Sequence, residues 1–292
     1  MHDCQHQTIH QKDYTVPDYL VETVELSFDL DPEQTQVESR LAIRCNHDRG
    51  SAPRPLVLDG EELTLVSLKL DGAELTAGRY QAEDGRLVIH DPPESFLLEV
   101  TTRINPKGNT ALSGLYASGP MLCTQCEAEG FRRITYFTDR PDVMAVYTVT
   151  LKADRESCPV LLANGNLVEK GELPGGRHFA TWHDPFKKPS YLFAVVAGDL
   201  VHISDRYTTM SGKEVQLEIY VEEKNREKCD HALPNEAMKA LLSLSIVHCQ
   251  LSIVSDSHIP ATRKMKLVAQ AATIGGRRPT WPTEMMTELA MT

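Results

Sequence analysis

Gln125 and Glu127 stand two residues apart in a run, Met121 to Arg140, that also carries Arg132, Arg133, Tyr136 and Asp139. In an extended segment, side chains at i and i+2 leave the same face. An amide carbonyl would then lie beside a carboxylate, a pair able to accept hydrogen bonds from a cation, most simply an ammonium group. The bland alternative is the solvated face of a strand. Cys123 and Cys126 fall in the same run with the spacing of a zinc knuckle. A four-ligand zinc site needs a second Cys-x-x-Cys or a His pair, and none follows at a usable distance. The two thiols therefore read as small, half-buried strand residues.

Other constellations are weaker. His2, His6 and His10 recur every four residues and would line one helical face, but the polar lead around them reads as a disordered tail. His183, Asp184 and Ser190 are close in sequence, which does not make a triad; the first two read as a strand end with turn residues. No Gly-x-Ser-x-Gly elbow, phosphate loop or Gly-x-Gly-x-x-Gly is present. None of the 11 histidines is followed by glutamate, which excludes the His-Glu-x-x-His of a zinc peptidase helix.

The elements that must position the central run are strands. Val24, Leu26, Phe28 and Leu30 alternate with polar residues, and Val37, Leu41 and Ile43 continue the alternation after the turn Asp31-Pro32-Glu33-Gln34, giving a hairpin with one buried face. Pro55–Leu58 stops at Asp59-Gly60, Leu63–Leu70 at Asp71-Gly72, Arg86–His90 at Asp91-Pro92-Pro93, and Ser95–Ile104 at Asn105-Pro106. Punctuation this dense marks an all-β sandwich or open barrel. Pro159–Asn164, Asn166–Leu173 and Arg177–His183 form a second meander. Tyr191–Ala197 reads as a strand covered on both faces. Glu214–Val221 is one more strand, and Ala237–His248 is compatible with a helix behind Pro234.

At 292 residues, 41% hydrophobic and 24% charged, the chain has the composition of a soluble globular protein able to bury a sizeable core. A formal net charge of −11 argues against nucleic acid and anionic lipid as partners. The first residues lack the pattern of a signal peptide, and Ala240–Val254 is too short and polar to span a bilayer. With seven scattered cysteines, an odd number and no disulfide framework, the expected compartment is the cytoplasm.

The wording CTQCEAEGFRRITY, followed by DRPDVMAVYTVTL, resembles the substrate-anchor segment of the bacterial aminopeptidase N branch of the M1 zinc aminopeptidases. Residues 21–44, 161–186 and 188–200 agree, and the resemblance runs from about Tyr14 to about His231 before it fades. It implies a large antiparallel β-sandwich or saddle over 14–199, after a disordered lead over 1–13. The start of an α+β thermolysin-like catalytic domain, incomplete, would follow over 200–254, and a divergent, disordered tail over 255–292. It also implies that Gln125 and Glu127 bind the free α-amino group of peptide N-termini, the contact that makes such an enzyme an exopeptidase. Zinc would be the cofactor of the intact enzyme and would not be bound by this chain, which also lacks the family's Gly-Ala-Met-Glu-Asn motif. The chain is then expected to be inactive alone, with a truncated or frame-altered terminus. Apolar surface left uncovered around Tyr191–Ala197 and Val215–Val221 would favour self-association. Two alternatives stay open: a non-catalytic β-sandwich binding module, and the epoxide-hydrolysing branch of the superfamily, which shares a Gln-x-Glu anchor.

Overall fold

The computed structural model describes residues 11–49, 54–83, 85–208, 214–226, 251–254 and 262–268. Period-two alternation becomes β1 (Tyr19–Asp29) and β2 (Thr35–Cys45), whose alternate apolar residues are buried. Their turn is closed by the Asp31 carboxylate, which accepts the backbone N–H of Glu33 and Gln34 at 2.8 Å each. This is the local bond that makes Asp a turn residue.

The chain continues through β3 (Leu56–Gly60), β4 (Thr64–Leu70), β5 (Ala73–Glu74), β6 (Tyr80–Glu83), β7 (Gly85–Ile89) and β8 (Ser95–Ile104). Then come β9 (Gly114–Ser118), β10 (Met121–Gln125), β11 (Met144–Asp154), β12 (Val160–Ala163), β13 (Asn166–Leu173), β14 (Arg177–Pro189) and β15 (Val195–Gly198). After these stand β16 (Val201–Thr208), β17 (Glu214–Val221), β18 (Leu251–Val254) and β19 (Thr262–Val268). The fold is mainly β, as the turn spacing predicts. The largest sheet runs β13-β14-β11-β1-β2-β8-β4-β5; a second is β12-β15-β10-β9, a third β3-β7-β6, and β16-β17-β19-β18 form the fourth.

Within the largest sheet only β1 and β11 pair in parallel. A parallel pair needs a long crossover. Here the crossover contains everything from β2 to β10 and the central run, whose Phe131, Ile134, Tyr136 and Phe137 are buried. Phe28 from the large sheet stacks on Phe193 at 6.1 Å between centroids. Phe131 meets Phe137, Phe193 and Tyr147 edge-on at 5.0, 5.1 and 6.0 Å. Such pairs add about 0.5–1.5 kcal/mol each beyond the area they bury.

Several expectations change in the structure. Asp59-Gly60 is the end of β3 rather than a turn, because it bridges to the central run: Asp59 N–H donates to Phe137 O at 2.8 Å and Phe137 N–H returns to Asp59 O at 3.0 Å. Tyr191–Ala197 is not one strand. A short 3-10 turn (Ser190–Leu192) precedes β15, and Phe193–Ala197 are buried rather than uncovered, because β15 lies between β12 and β10. Ile219 and Val221 are buried as well. Inside the stretch that reads as a tail, Thr262–Val268 is a strand; its register sets Met265 beside Leu217 and Leu267 beside Ile219. The helix expected over Ala237–His248 and the rest of the tail lie outside the described residues, as do His2, His6 and His10. Among the described residues no helix is long and apolar enough to cross a membrane.

Gly60 offers a test of this packing. A Cβ there would lie 2.3 Å from the Tyr136 ring, which is itself buried. Gly60→Ala should destabilise the domain by about 1–3 kcal/mol through overpacking, read as a lower urea midpoint at unchanged slope.

Candidate functional site

Gln125 ends β10, paired with Gly114 at the start of β9. Cys126 is fully buried, and residues 127–130 form a turn closed by Gly130 N–H donating to Cys126 O at 2.8 Å. Glu127 is exposed on this turn and Gln125 is half-buried beside it. The strand stops two residues before Glu127, so the i, i+2 argument does not hold. The two are brought together by the turn instead, with Gln125 Nε2 3.5 Å from Glu127 O. The Glu127–Ala128 peptide is cis.

The turn is held closely from below. A Cβ at Gly130 would lie 2.4 Å from Gln125 O and 2.9 Å from Gly114 N. Gly114 itself has φ +75°, and a Cβ there would meet Arg133 Cβ at 2.7 Å. Only glycine tolerates both the left-handed backbone and the approach. Phe131 then enters the aromatic cluster.

Arg132 binds the Asp139 carboxylate twice: its backbone N–H and its Nε donate to Asp139 Oδ2 at 3.1 and 3.3 Å. Asp139 Oδ1 accepts Ser190 Oγ at 2.5 Å, and the Asp139 N–H donates to Asp59 Oδ2 at 3.3 Å. Arg133 pairs with Glu61 and Glu62, both at 2.8 Å. None of the groups around Asp139 beyond Arg132 follows from sequence spacing. Ser190 and Asp59 are 51 and 80 residues away, and only the sheet order could have found them.

The residues weighed in sequence as other sites disperse. His183 Nδ1 lies 3.0 Å from Thr148 Oγ1, Asp184 pairs with Lys188, and Ser190 serves Asp139, so no triad forms. Cys123 and Cys126 are fully buried thiols outside any disulfide; burial pushes Cys123 up to about 11 and raises Cys126 as well, which keeps both protonated. Among the described residues no three His, Cys, Asp or Glu side chains cluster as a metal site.

Lys188 is buried, its Nζ 3.0 Å from Asp184 Oδ2 and 3.9 Å from the centroid of the Tyr147 ring. Burial pushes its pKa down to about 8, against the pull of Asp184. The unfolded chain therefore holds this proton, and the native state does not, from about pH 8 to the ordinary lysine value of 10.5. Stability from this group is fully present above that window and is lost as pH falls through about 8. The raised thiols of Cys123, Cys126 and Cys158 act in the opposite sense as pH passes through their ordinary 9.0. Because the thiols are common to both proteins, the Lys188 contribution is read as a difference: between pH 8 and 9 the unfolding free energy of wild type should gain on the order of 1 kcal/mol relative to Lys188→Met in parallel urea titrations.

This fold places the chain among the β-domains that open the M1 peptidases. The Peptidase M1 N-terminal domain matches residues 12–192, and the chain belongs to that family. It is 49% identical over 235 residues to aminopeptidase N of Caulobacter vibrioides, and 48% identical over 230 residues to aminopeptidase N of Escherichia coli. These matches cover 80% and 78% of this chain but 27% and 26% of those proteins, so the chain spans about a quarter of the length of the curated relatives it matches. The crystal structure of Legionella pneumophila aminopeptidase A in complex with aspartic acid superposes with a TM-score of 0.72 at 42% identity, covering 76% of this chain and 26% of that one. An M1 zinc metallopeptidase from Deinococcus radiodurans, at 15% identity and a TM-score of 0.58 over 70% of this chain and 48% of its own, shares the fold alone.

Proposed function

We propose that this chain supplies the N-terminal β-domain and the first strands of the catalytic domain of a zinc-dependent aminopeptidase N, which releases N-terminal amino acids from peptides. Glu127 holds the substrate's α-ammonium group and Gln125 helps to orient it. The observation that carries this reading is the placement of an exposed carboxylate on a turn whose two ends are buried. A carboxylate displayed so can accept charge-assisted hydrogen bonds without first being freed from the core. Fixing the ammonium fixes which carbonyl lies at the reacting centre, and restricts cleavage to the first peptide bond.

Zinc does not fit this chain's own residues. The sequence has no His-Glu-x-x-His, and the described side chains offer no three-ligand cluster. No hydrolytic step is assigned to them, and the 292-residue chain by itself should turn over no aminoacyl amide and hold no stoichiometric zinc. Chelator-sensitive turnover by the purified chain would refute this. The near-half identity to two aminopeptidases N favours the peptidase over the epoxide-hydrolysing branch and over a non-catalytic binding module.

A charge-assisted hydrogen bond to an ammonium contributes roughly 1.5–3 kcal/mol. In an intact zinc-loaded enzyme carrying this domain, Glu127→Ala should lower kcat/KM by about ten- to a hundred-fold. With an N-acetylated substrate, wild type and variant should be equally poor. A variant that keeps full activity on free-amine substrates would remove Glu127 from the site.

A further inference from the structure

Arg132 links the turn that carries Glu127 to the interior. Arg132 reaches outward to Glu129, its NH1 lying 3.4 Å from Glu129 Oε2, and inward to Asp139. Asp139 is the point where separate parts of the chain meet. Its side chain is 1% exposed, and both carboxylate oxygens are engaged: Oδ2 by the Arg132 backbone N–H and Nε, Oδ1 by Ser190 Oγ. Its backbone carbonyl accepts Arg132 NH2 at 3.2 Å, and its N–H donates to Asp59 Oδ2. Three segments thus converge on one residue: the central run and the start of the 3-10 turn after β14 on its carboxylate, and the end of β3 on its backbone N–H.

The aromatic cluster around Phe131 would suffice for burial at this point. A fully desolvated carboxylate costs more than an apolar residue of the same shape, unless every lone pair is used. What it adds is direction, because hydrogen bonds fix angles that packing leaves soft. Two of the bonds fall on the backbone and side chain of Arg132, two residues past Gly130, where the turn re-enters the core. Gly130 approaches Gln125 and Gly114 closely, and Gly114 in turn approaches Arg133, so that end of the turn has little room to shift independently of the segment that follows it.

We propose that Asp139 is a positioning residue for Glu127: through Arg132, and braced by Ser190, it sets where the anchoring carboxylate stands. This rests on the reading of Glu127 as the ammonium anchor. Asp139 touches no substrate, so its effect on turnover must pass through the turn. Removing it should matter only while Glu127 is there to be positioned.

A double-mutant cycle in the intact zinc-loaded enzyme carrying this domain reads that dependence. Asp139→Asn should lower kcat/KM on a free-amine aminoacyl amide about tenfold when Glu127 is present, and less than twofold in the Glu127→Ala background. Ser190→Ala, which removes one bond and keeps the charge, should show the same pattern at a smaller size. It serves in place of Asp139→Asn should the latter fail to fold. In the 292-residue chain, hydrogen exchange at the Gly130 amide should quicken at least about tenfold in Asp139→Asn and stay unchanged in Glu127→Ala. Equal losses from Asp139→Asn and Ser190→Ala in both backgrounds would show a purely structural role and overturn the proposal. If Glu127→Ala has no effect alone, the anchor reading itself fails, and the positioning proposal falls with it.

Discussion

Three exposed residues set between buried ones are the constraint on which this molecule turns. Glu127, Ala128 and Glu129 face solvent, whereas Cys126 behind them and Gly130 and Phe131 ahead of them are buried. A surface loop is ordinarily the mobile part of a fold. Here it cannot move without dragging either the end of β10 or the ring of Phe131, which is edge-on to three other aromatics. The pairing of Gln125 with Gly114 fixes the entry to the turn at the end of β10. Glycine at 114 and 130 then allows the backbones to touch.

The interior beneath the turn is more polar than stability alone would choose. Asp139, Ser190, Lys188 and Asp184 lie there, and the Tyr147 hydroxyl is buried with no hydrogen-bond partner among the described residues. An unpaired buried hydroxyl costs about 1–3 kcal/mol. An ion pair with one end buried, such as Lys188 with the half-buried Asp184, seldom repays its desolvation in full. The large apolar core of the sheets can carry this cost. What the polar groups provide is one geometry where an apolar core would accept several.

Much of the β architecture was legible in the sequence, and the reason differs by element. The β1–β2 hairpin could be read because one face is buried and the other wet, which writes period two into Val24–Leu30 and Val37–Ile43. Asp59-Gly60 was misread since the same dipeptide serves a tight turn and a strand end that must admit the Tyr136 ring. Tyr191–Ala197 was misread because an apolar run shows burial without showing where a strand starts. Gln125 and Glu127 are neighbours through the turn and not through strand periodicity, which does not show where β10 ends. The contacts of Ser190 and Asp59 with the central run had no local signal at all; they arise from sheet order, which one sequence does not spell out.

Membership of the M1 N-terminal domain family and a pinned, exposed carboxylate together lead to a claim about one atom pair. The most direct measurement is a crystal structure of the zinc-loaded enzyme carrying this domain, with a free amino acid bound. The account predicts the ligand's ammonium nitrogen about 2.7–3.0 Å from a Glu127 carboxylate oxygen, with the turn at 127–130 unmoved. An ammonium group held elsewhere, with Glu127 turned to solvent, would contradict it.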